Sequence, residues 1–263
     1  MAEYNKLDLK ALKDYQENGG KTGGDYKFWK PKEEGKYTLR ILPPATKGGF
    51  FFKKTAQCRI GDKYFFSPHA EGKPDPIYDY CRALWKKGTD EAKDLYRLIK
   101  PREQYIYNII VRDENGKPTE NPTKVLVFQT GKVLFTKIMD TIFDPDFGDI
   151  TDVEAGYDFI LNKEMIGGFA NYDRSKARAK PSPLFEDDDM IQATLEGIHD
   201  LTNYIEYRTY DELKEELDRF LAERNGTASA PRTQSTAHQS SDVEPDDDEF
   251  SKFESDLLDK LDS

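Results

Sequence analysis

Short runs of strand-like sequence, separated by helical stretches, constrain the fold of this chain more than any other feature. In the first run, Tyr37, Leu39 and Ile41 alternate with polar residues, and a pair of prolines follows. Similar runs predict strands over residues 50–59, 63–66, 106–112, 123–128 and 157–163. Helical patterns occupy residues 78–85, 91–96, 132–142, 190–196 and 210–224. This order predicts a mainly β fold with inserted helices (α+β), and within it an OB-fold, a five-stranded Greek-key barrel.

The two ends of the chain have the composition of segments outside a packed core. Residues 1–18 carry a short helical pattern, and the glycine-rich run at 19–24 predicts a linker because it lacks the spacing of a phosphate-binding loop. Residues 225–249 are rich in Ser, Thr, Pro and acidic residues and have no apolar periodicity. We therefore predict a flexible N-terminal arm (1–20), a core with trailing helices (21–224), and a disordered linker with an acidic tail (225–263).

Charge is divided unevenly along the chain. The formal net charge is -11, yet residues 21–180 hold 29 Lys and Arg against 23 Asp and Glu, a net charge of +6. Residues 242–263 hold 10 Asp and Glu against 2 Lys, a net charge of -8. A basic middle with an acidic end is typical of a protein that contacts a polyanion, because the tail competes for the same groove. A tail that only aids solubility is the alternative.

The acidic tail also carries an apolar stripe at helix-like spacing. An otherwise solvated segment gains nothing from exposed apolar side chains unless they dock on a partner. We therefore predict a short partner-binding motif that folds on another protein and screens the basic groove when that groove is empty. Its apolar residues are Phe250, Phe253, Leu257, Leu258 and Leu261.

Aromatic residues make up 13% of the chain, and in three places they interleave with cations: residues 96–107, 124–132 and 167–180. Single-stranded nucleic acid needs this mixture, because cations follow the phosphates while flat rings stack on unpaired bases. For Tyr105, Tyr107 and Phe128, an ordinary place in the core is the alternative. The third stretch favours binding, since four cations at every second position beside Phe169 and Tyr172 do not build a core.

Other classes of function find little support in the sequence. The acidic run at residues 186–189 has no neighbouring strand to hold a metal-dependent active site, and the three histidines match no catalytic signature. We therefore predict that the chain is not an enzyme. No apolar run is long enough to span a membrane, no secretory signal opens the chain, and two cysteines are too few for a disulfide scaffold. We expect an intracellular protein with no membrane partner.

Three segments resemble one known family in the same order. Residues 167–176, Gly-Gly-Phe-Ala-Asn-Tyr-Asp-Arg-Ser-Lys, are similar to the Gly-Phe-Ser-Asn-Tyr-Asp-x-Ser-Lys signature of the T-even-type bacteriophage single-stranded-DNA-binding (helix-destabilising) proteins. Residues 30–43 resemble that family's opening core strand, and residues 105–111 its Tyr-Trp-Ala-Asn-Ile-Leu-Val strand. The likeness runs from about residue 26 to residue 201.

The resemblance implies a function and a set of site residues. A member would bind single-stranded DNA without strong sequence specificity during phage DNA replication, recombination and repair, in the cytoplasm of the infected bacterial host. It would recruit replication and recombination proteins through the tail and self-associate on DNA through the arm. The expected DNA-binding residues are Tyr96, Lys100, Arg102, Tyr105, Lys124, Phe128, Phe169, Tyr172, Arg174 and Lys176. A protein-interaction adaptor with a nucleic-acid-mimicking tail, and RNA as the ligand, remain alternatives.

The chain departs from the family pattern at two places. The N-terminal basic patch is missing, which weakens the case for self-association through the arm. The family holds a structural zinc with one His and three Cys, whereas Asp75-Pro76-Ile77-Tyr78 stands here in place of its Cys-Pro-x-Cys. Cys58, His69 and Cys81 are candidate substitute ligands, with Asp75 or Asp79 as a fourth. Because structural zinc prefers four Cys or His ligands, we expect no cofactor.

Overall fold

A computed structural model of the chain describes residues 28–226. Its strands are β1 (Gly35–Ile41), β2 (Phe52–Ile60), β3 (Lys63–Phe66), β4 (Arg102–Glu114), β5 (Lys117–Pro118), β6 (Leu126–Gly131), β7 (Phe159–Ile166), β8 (Phe169–Asn171) and β9 (Lys176–Ala177). Its helices are α1 (Pro76–Lys87), α2 (Asp90–Ile99), α3 (Lys132–Phe143), α4 (Asp188–Glu196) and α5 (Tyr210–Gly226). Short 3₁₀ helices cover Pro68–Glu71 and Leu201–Tyr204. The predicted arm (1–20) and most of the predicted linker and tail (225–263) lie outside the described residues.

The predicted mainly β class with inserted helices is confirmed. Each strand and helix predicted between residues 36 and 224 is present, with ends that differ by a few residues. The short strands β5, β8 and β9 were not predicted, because two or three residues are too few to show an alternating pattern. None of the helices within residues 28–226 is both long and apolar enough to cross a membrane.

The long strand β4 organises the sheet. Its first half pairs antiparallel with β2 on one edge and with β6 on the other, and its second half pairs with β1. From β1 the sheet continues to β7, which also pairs with β8 and β9. The strand order is β3-β2-β4-β1-β7-β8, an open path through the described strands. The five-stranded Greek-key barrel therefore stays a prediction.

The two faces of the sheet pack against different cores. Tyr105, Tyr107 and Phe128 share one face of β4 and β6 and lie in the main core, which β1, β7 and α3 complete. On the opposite face, Ile106 and Val127 pack against Phe28 and Phe66. A separate helical core joins β2 and β3 to α1, α2 and α5. Its buried residues include Cys58, Ile60, Phe65, Ile77, Cys81, Leu84, Leu95, Ile99, Leu213 and Leu217.

Capping residues fix both ends of α1 and the start of α2 in the helical core. The Asp75 carboxylate accepts hydrogen bonds from the amides of Ile77 (2.8 Å) and Tyr78 (3.1 Å), and Pro76 occupies the first turn of α1. Gly88 ends α1 with a φ of 70°, a conformation that favours glycine. Thr89 then caps α2 by accepting from the Ala92 amide at 3.3 Å. These caps explain why α1 and α2 form two helices rather than one.

A buried ion-pair network ties the sheet to the chain beyond β9. The Arg40 side chain is 1% exposed, and its Nε donates to Asp158 Oδ1 at 2.9 Å. Arg112 Nε donates to the same oxygen at 2.6 Å, and Arg40 Nη2 donates to the Ser182 carbonyl at 2.8 Å. Burial lowers the pKa of Arg40, although the Asp158 carboxylate opposes that shift. The network therefore holds β1, β4 and β7 against the segment around Ser182.

The first described residues lie along the edge of β6. The Trp29 amide donates to the Val127 carbonyl at 2.7 Å, and Trp29 forms a parallel bridge with Phe128. Its ring contacts those of Phe128 and Tyr37 at centroid distances of 5.3 and 5.8 Å. Residues 28 and 29 therefore cover an edge that β6 would otherwise leave open.

Candidate nucleic-acid interface

Residues 174–180, here named the cationic strand, contain β9 (Lys176–Ala177), with a turn before it and a bend after it, and from Arg174 to Arg178 exposed cations alternate with buried small residues. Ser175 and Ala177 are buried, whereas Arg174, Lys176 and Arg178 are exposed. The reason is local: β9 pairs antiparallel with β7 through Ala177 and Phe159, and an extended chain alternates its side chains between two faces. The alternation of cations with small residues from 174 to 178 therefore matches the alternation of exposed and buried positions around β9.

The cations of this strand are held loosely. Arg174 Nη1 lies 3.1 Å from Glu164 Oε1, but the Arg174 side chain is 77% exposed. Exposed ion pairs of this kind contribute about 0–1 kcal/mol. Arg178 Nη2 donates to Thr38 Oγ1 at 3.4 Å, a long hydrogen bond. A phosphate group can therefore replace these partners at little cost.

Two predicted stacking residues lie directly before the cationic strand. Phe169 is half-buried in β8, where it pairs with Ile166 of β7. Tyr172 is half-buried and packs against the main core. Burial raises the pKa of the Tyr172 hydroxyl, and the neighbouring Tyr37 adds to that shift. Phe169, Tyr172, Arg174 and Lys176 thus lie on one segment that runs from β8 to β9.

The structure places Tyr105 and Phe128 in the core, at 5% and 6% exposure. The Tyr105 ring is stacked on Phe135 with centroids 3.6 Å apart, and its hydroxyl donates to Glu103 at 3.0 Å. Trp29 and Tyr107 cover Phe128. The positions of these two rings therefore agree with the alternative that they belong to the core. Stacking of either ring on a base stays a prediction.

An aromatic row that was not predicted leads from this core to the surface. Phe50 contacts Phe52 at 5.5 Å, Phe52 contacts Phe135 at 4.8 Å, and Phe135 covers Tyr105. Phe50 is 78% exposed, whereas Phe52 and Phe135 are half-buried. The three consecutive phenylalanines at 50–52 were the sequence signal: Phe51 and Phe52 pack against the main core, whereas Phe50, which precedes β2, stays exposed.

The remaining predicted residues lie elsewhere. Tyr96, Lys100 and Arg102 surround the junction of α2 and β4, where the Tyr96 ring contacts Trp85 at 5.1 Å and the Lys100 ammonium at 5.6 Å. Arg102 donates to the Arg97 carbonyl at 3.2 Å. Lys124 is exposed in the loop before β6. The ten predicted residues therefore form several patches rather than one cluster.

Helix α3 lies between the aromatic row and the cationic strand. Phe135 joins the row, whereas the Lys137 ammonium donates to the Asp173 carbonyl at 3.0 Å, directly before Arg174. At 3.6 residues per turn these two side chains point about 160° apart, on opposite flanks of the buried stripe formed by Leu134 and Ile138. A strand of nucleic acid that contacts both patches has to pass α3.

The candidate zinc ligands take part in other contacts. Cys58 and Cys81 are buried in the helical core, and burial raises both thiol pKa values, that of Cys81 to about 12. The exposed His69 ring is stacked on Tyr78 at 3.5 Å. The Asp75 carboxylate caps α1 and accepts from the Ser67 hydroxyl. Within residues 28–226, no group of three or more His, Cys, Asp or Glu side chains is arranged to hold a metal ion.

Comparison with known proteins agrees with the resemblance in the sequence. Residues 33–222 match the family model described as gp32 DNA binding protein like. The single-stranded DNA-binding proteins of Enterobacteria phages T2 and T4 are each 28% identical to this chain over 250 residues. These alignments cover 87% and 88% of this chain and 80% of each relative. Because the family model spans well over half of its residues, the chain belongs to the gp32-like family of DNA-binding proteins.

Proposed function

We propose that this chain binds single-stranded DNA without strong sequence specificity and does so as a binding protein rather than an enzyme. The observation that carries the proposal is the cationic strand, with Arg174, Lys176 and Arg178 on one exposed face directly after Phe169 and Tyr172. The names of the phage T2 and T4 relatives support the same ligand. The setting is phage DNA replication, recombination and repair inside the infected host cell.

Binding combines two kinds of contact. Alternate residues of an extended strand are spaced by roughly 7 Å, so Lys176 and Arg178 at β9 offer charges at a spacing that suits successive phosphates, and Arg174 in the preceding turn adds a third charge. Each neutralised phosphate releases a counterion, which makes the affinity fall as salt rises. Rings of Phe169, Tyr172 and the aromatic row supply faces for unpaired bases, and a stacked base contributes about 1–3 kcal/mol whatever its identity. Neither kind of contact distinguishes one base sequence from another.

The finer parts of the proposal rest on the sequence and on the family. They include an OB-fold barrel as the binding core and self-association through the arm at residues 1–20. They also include recruitment of replication and recombination proteins through Phe250, Phe253, Leu257, Leu258 and Leu261. The arm and these tail residues lie outside the described part of the chain.

Fluorescence anisotropy over a salt series tests the proposed ligand. Labelled poly-dT should bind tightly and with strong salt dependence, whereas matched duplex should bind more weakly. Matched RNA measures the preference for the sugar. Equal affinity for single strand and duplex would contradict the proposal and favour the protein-interaction adaptor.

A double variant, Arg174→Gln with Lys176→Gln, tests the cationic strand. If both side chains contact phosphates, the slope of log affinity against log salt should fall by about 1.4, since each contact on a single strand contributes about 0.7. Lys86→Gln with Lys87→Gln is the matched control, because these lysines are exposed at the end of α1 and the net charge changes equally. An equal change in slope for both pairs would mean that only the overall charge matters.

Two variants of Tyr172 test whether its ring stacks on a base. Tyr172→Ala should weaken poly-dT binding by about tenfold, in line with the loss of one stacked base. Tyr172→Phe keeps the ring and should retain binding. Urea unfolding of both variants separates a binding effect from loss of the contact with the main core, and unchanged affinity of a folded Tyr172→Ala protein would exclude this residue from the site.

A further inference from the structure

A buried carboxylate joins three elements around the helical core. Asp75 is 2% exposed and Ser67 is 1% exposed, and the Ser67 hydroxyl donates to Asp75 Oδ2. The other oxygen, Oδ1, accepts from the first two amide groups of α1, those of Ile77 and Tyr78. Ser67 directly follows β3, and its amide donates to the Ala56 carbonyl of β2 at 2.9 Å. Through Ser67, Asp75 therefore fastens the start of α1 to both strands of the β2–β3 hairpin.

The contacts of Asp75 compensate its negative charge. A buried carboxylate is costly unless hydrogen-bond donors surround it. Here one hydroxyl and two amides supply those donors, and the carboxylate lies at the positive end of the α1 dipole. Both oxygens of Asp75 therefore have protein donors, and the carboxylate needs no metal ion to be stable at this position.

The other candidate ligands do not complete the set that a structural zinc ion uses. Such sites have four Cys or His ligands. Asp75 and Tyr78 stand in place of two cysteines of the family, and the exposed His69 ring is stacked on the Tyr78 ring at 3.5 Å. Cys58 and Cys81 are buried among the apolar residues of the helical core. Two thiols and one exposed, stacked imidazole fall short of that set.

Helix α5 covers the helical core. Leu213 and Leu217 are 0% and 2% exposed and lie in that core, and two further apolar residues of the same helix pack against it. Lys63 Nζ of β3 lies 2.8 Å from Glu216 Oε1, which ties α5 to β3. Small cores often need a metal or a disulfide because they bury too little apolar surface. Helix α5 adds such surface and so does part of what a metal does elsewhere.

We propose that the hydrogen bonds of Asp75 and the apolar face of α5 hold the helical core together in place of a metal ion. The helical core is then stable with no zinc bound. Tyr96, one of the predicted DNA-binding residues, packs against this core. Binding of single-stranded DNA should therefore also be independent of zinc. This last consequence rests on the proposed function, whereas stability without the metal does not.

Zinc content and chelation test the inference on the full-length protein. Protein purified without chelators should contain far less than one zinc ion per chain by inductively coupled plasma mass spectrometry. Added EDTA should change neither the urea midpoint nor the affinity for labelled poly-dT. One zinc ion per chain, or a midpoint that falls with EDTA and returns with zinc, overturns the inference. A wild-type protein that keeps its midpoint in EDTA and does not bind poly-dT contradicts the proposed function alone.

Asp75→Ala tests the role of the carboxylate. It should lower the urea midpoint about twice as much as Asp187→Ala, because both variants lose a helix cap but only Asp75 is buried and bonded to Ser67. Asp187→Ala is the matched control, since the exposed Asp187 carboxylate accepts from two amides at the start of α4. Equal losses for the two variants overturn the inference.

Ser67→Ala and His69→Ala separate the hydrogen bond from a metal site. Ser67→Ala keeps every candidate zinc ligand, and it should lower the midpoint because the buried Asp75 oxygen loses its donor. His69→Ala removes a candidate ligand from the surface and should change the midpoint little. A larger loss for His69→Ala than for Ser67→Ala overturns the inference.

Discussion

Exposure separates the aromatic residues of this chain into two roles. Tyr105 and Phe128 lie on strands whose pattern of aromatics and cations resembles a binding surface, yet both rings are covered by other rings. Phe50 was not among the predicted binding residues and is 78% exposed. A pattern of residue types indicates which side chains could contact DNA. It does not indicate which face of a strand the rest of the protein covers.

Phe50→Ala should therefore affect DNA binding, whereas Phe128→Ala should affect stability. Loss of the exposed Phe50 ring should leave stability within about 0.5 kcal/mol and weaken poly-dT binding about tenfold, if it stacks on a base. Loss of the buried Phe128 ring should cost about 3–5 kcal/mol of unfolding free energy. Urea unfolding and anisotropy measure the two effects, and a Phe50→Ala protein with normal DNA affinity would remove the outer end of the aromatic row from the site.

The two cysteines should be chemically inert in the folded protein. Burial raises both thiol pKa values, that of Cys81 to about 12, so the reactive thiolate form is scarce from pH 7 to pH 9. A thiol-specific reagent should label neither residue in native buffer and both in denaturant. Rapid native labelling at pH 8 would show that α5 does not keep the helical core closed.

At the scale of elements, local signals predicted most of the fold. The alternation of Tyr37, Leu39 and Ile41 depends only on neighbouring residues, and the predicted strand is present as β1. The Asp75 cap and the Gly88 stop of α1 were not predicted, although they are equally local. The cationic strand was predicted as a binding segment because its charges alternate. The division of the site by α3 could not be predicted, since it depends on how Phe135 and Lys137 meet strands that are distant in sequence.

The ion pairs of Asp158 with Arg40 and Arg112, which join β1 and β4 to the start of β7, should be essential for stability. Asp158→Asn removes the charge that faces the guanidinium groups of Arg40 and Arg112, and leaving a buried cation unpaired costs about 3–5 kcal/mol. Asp94→Asn is the control, because its ion pair with Arg97 is exposed and should contribute less than about 1 kcal/mol. Equal unfolding midpoints in urea for the two variants would mean that other contacts hold β1, β4 and β7 together.

At the scale of the whole molecule, charge sets the balance between tail and DNA. Deleting residues 242–263 removes a net charge of -8 and should tighten poly-dT binding several-fold at low salt. Near 1 M salt the Debye length is about 3 Å, so the difference should vanish. Anisotropy at both salt concentrations measures this effect.

A variant of the tail separates its two roles. Phe253→Ser with Leu257→Ser keeps every charge and should leave the low-salt DNA affinity at the wild-type value. A deletion that binds like the wild type at every salt concentration would limit the tail to contacts with proteins.

Strand β4 contributes side chains to the packing on both sides of the sheet and pairs with β1, β2 and β6. Backbone amides in its first half, between β2 and β6, should be among the slowest to exchange with deuterium, and they should exchange only when the whole sheet opens. Residues 164–166 of β7 and 169–171 of β8 pair only with each other, so their amides should be among the fastest to exchange. The protein thus combines a slowly exchanging central sheet with a β7–β8 hairpin whose outer part can change conformation more easily.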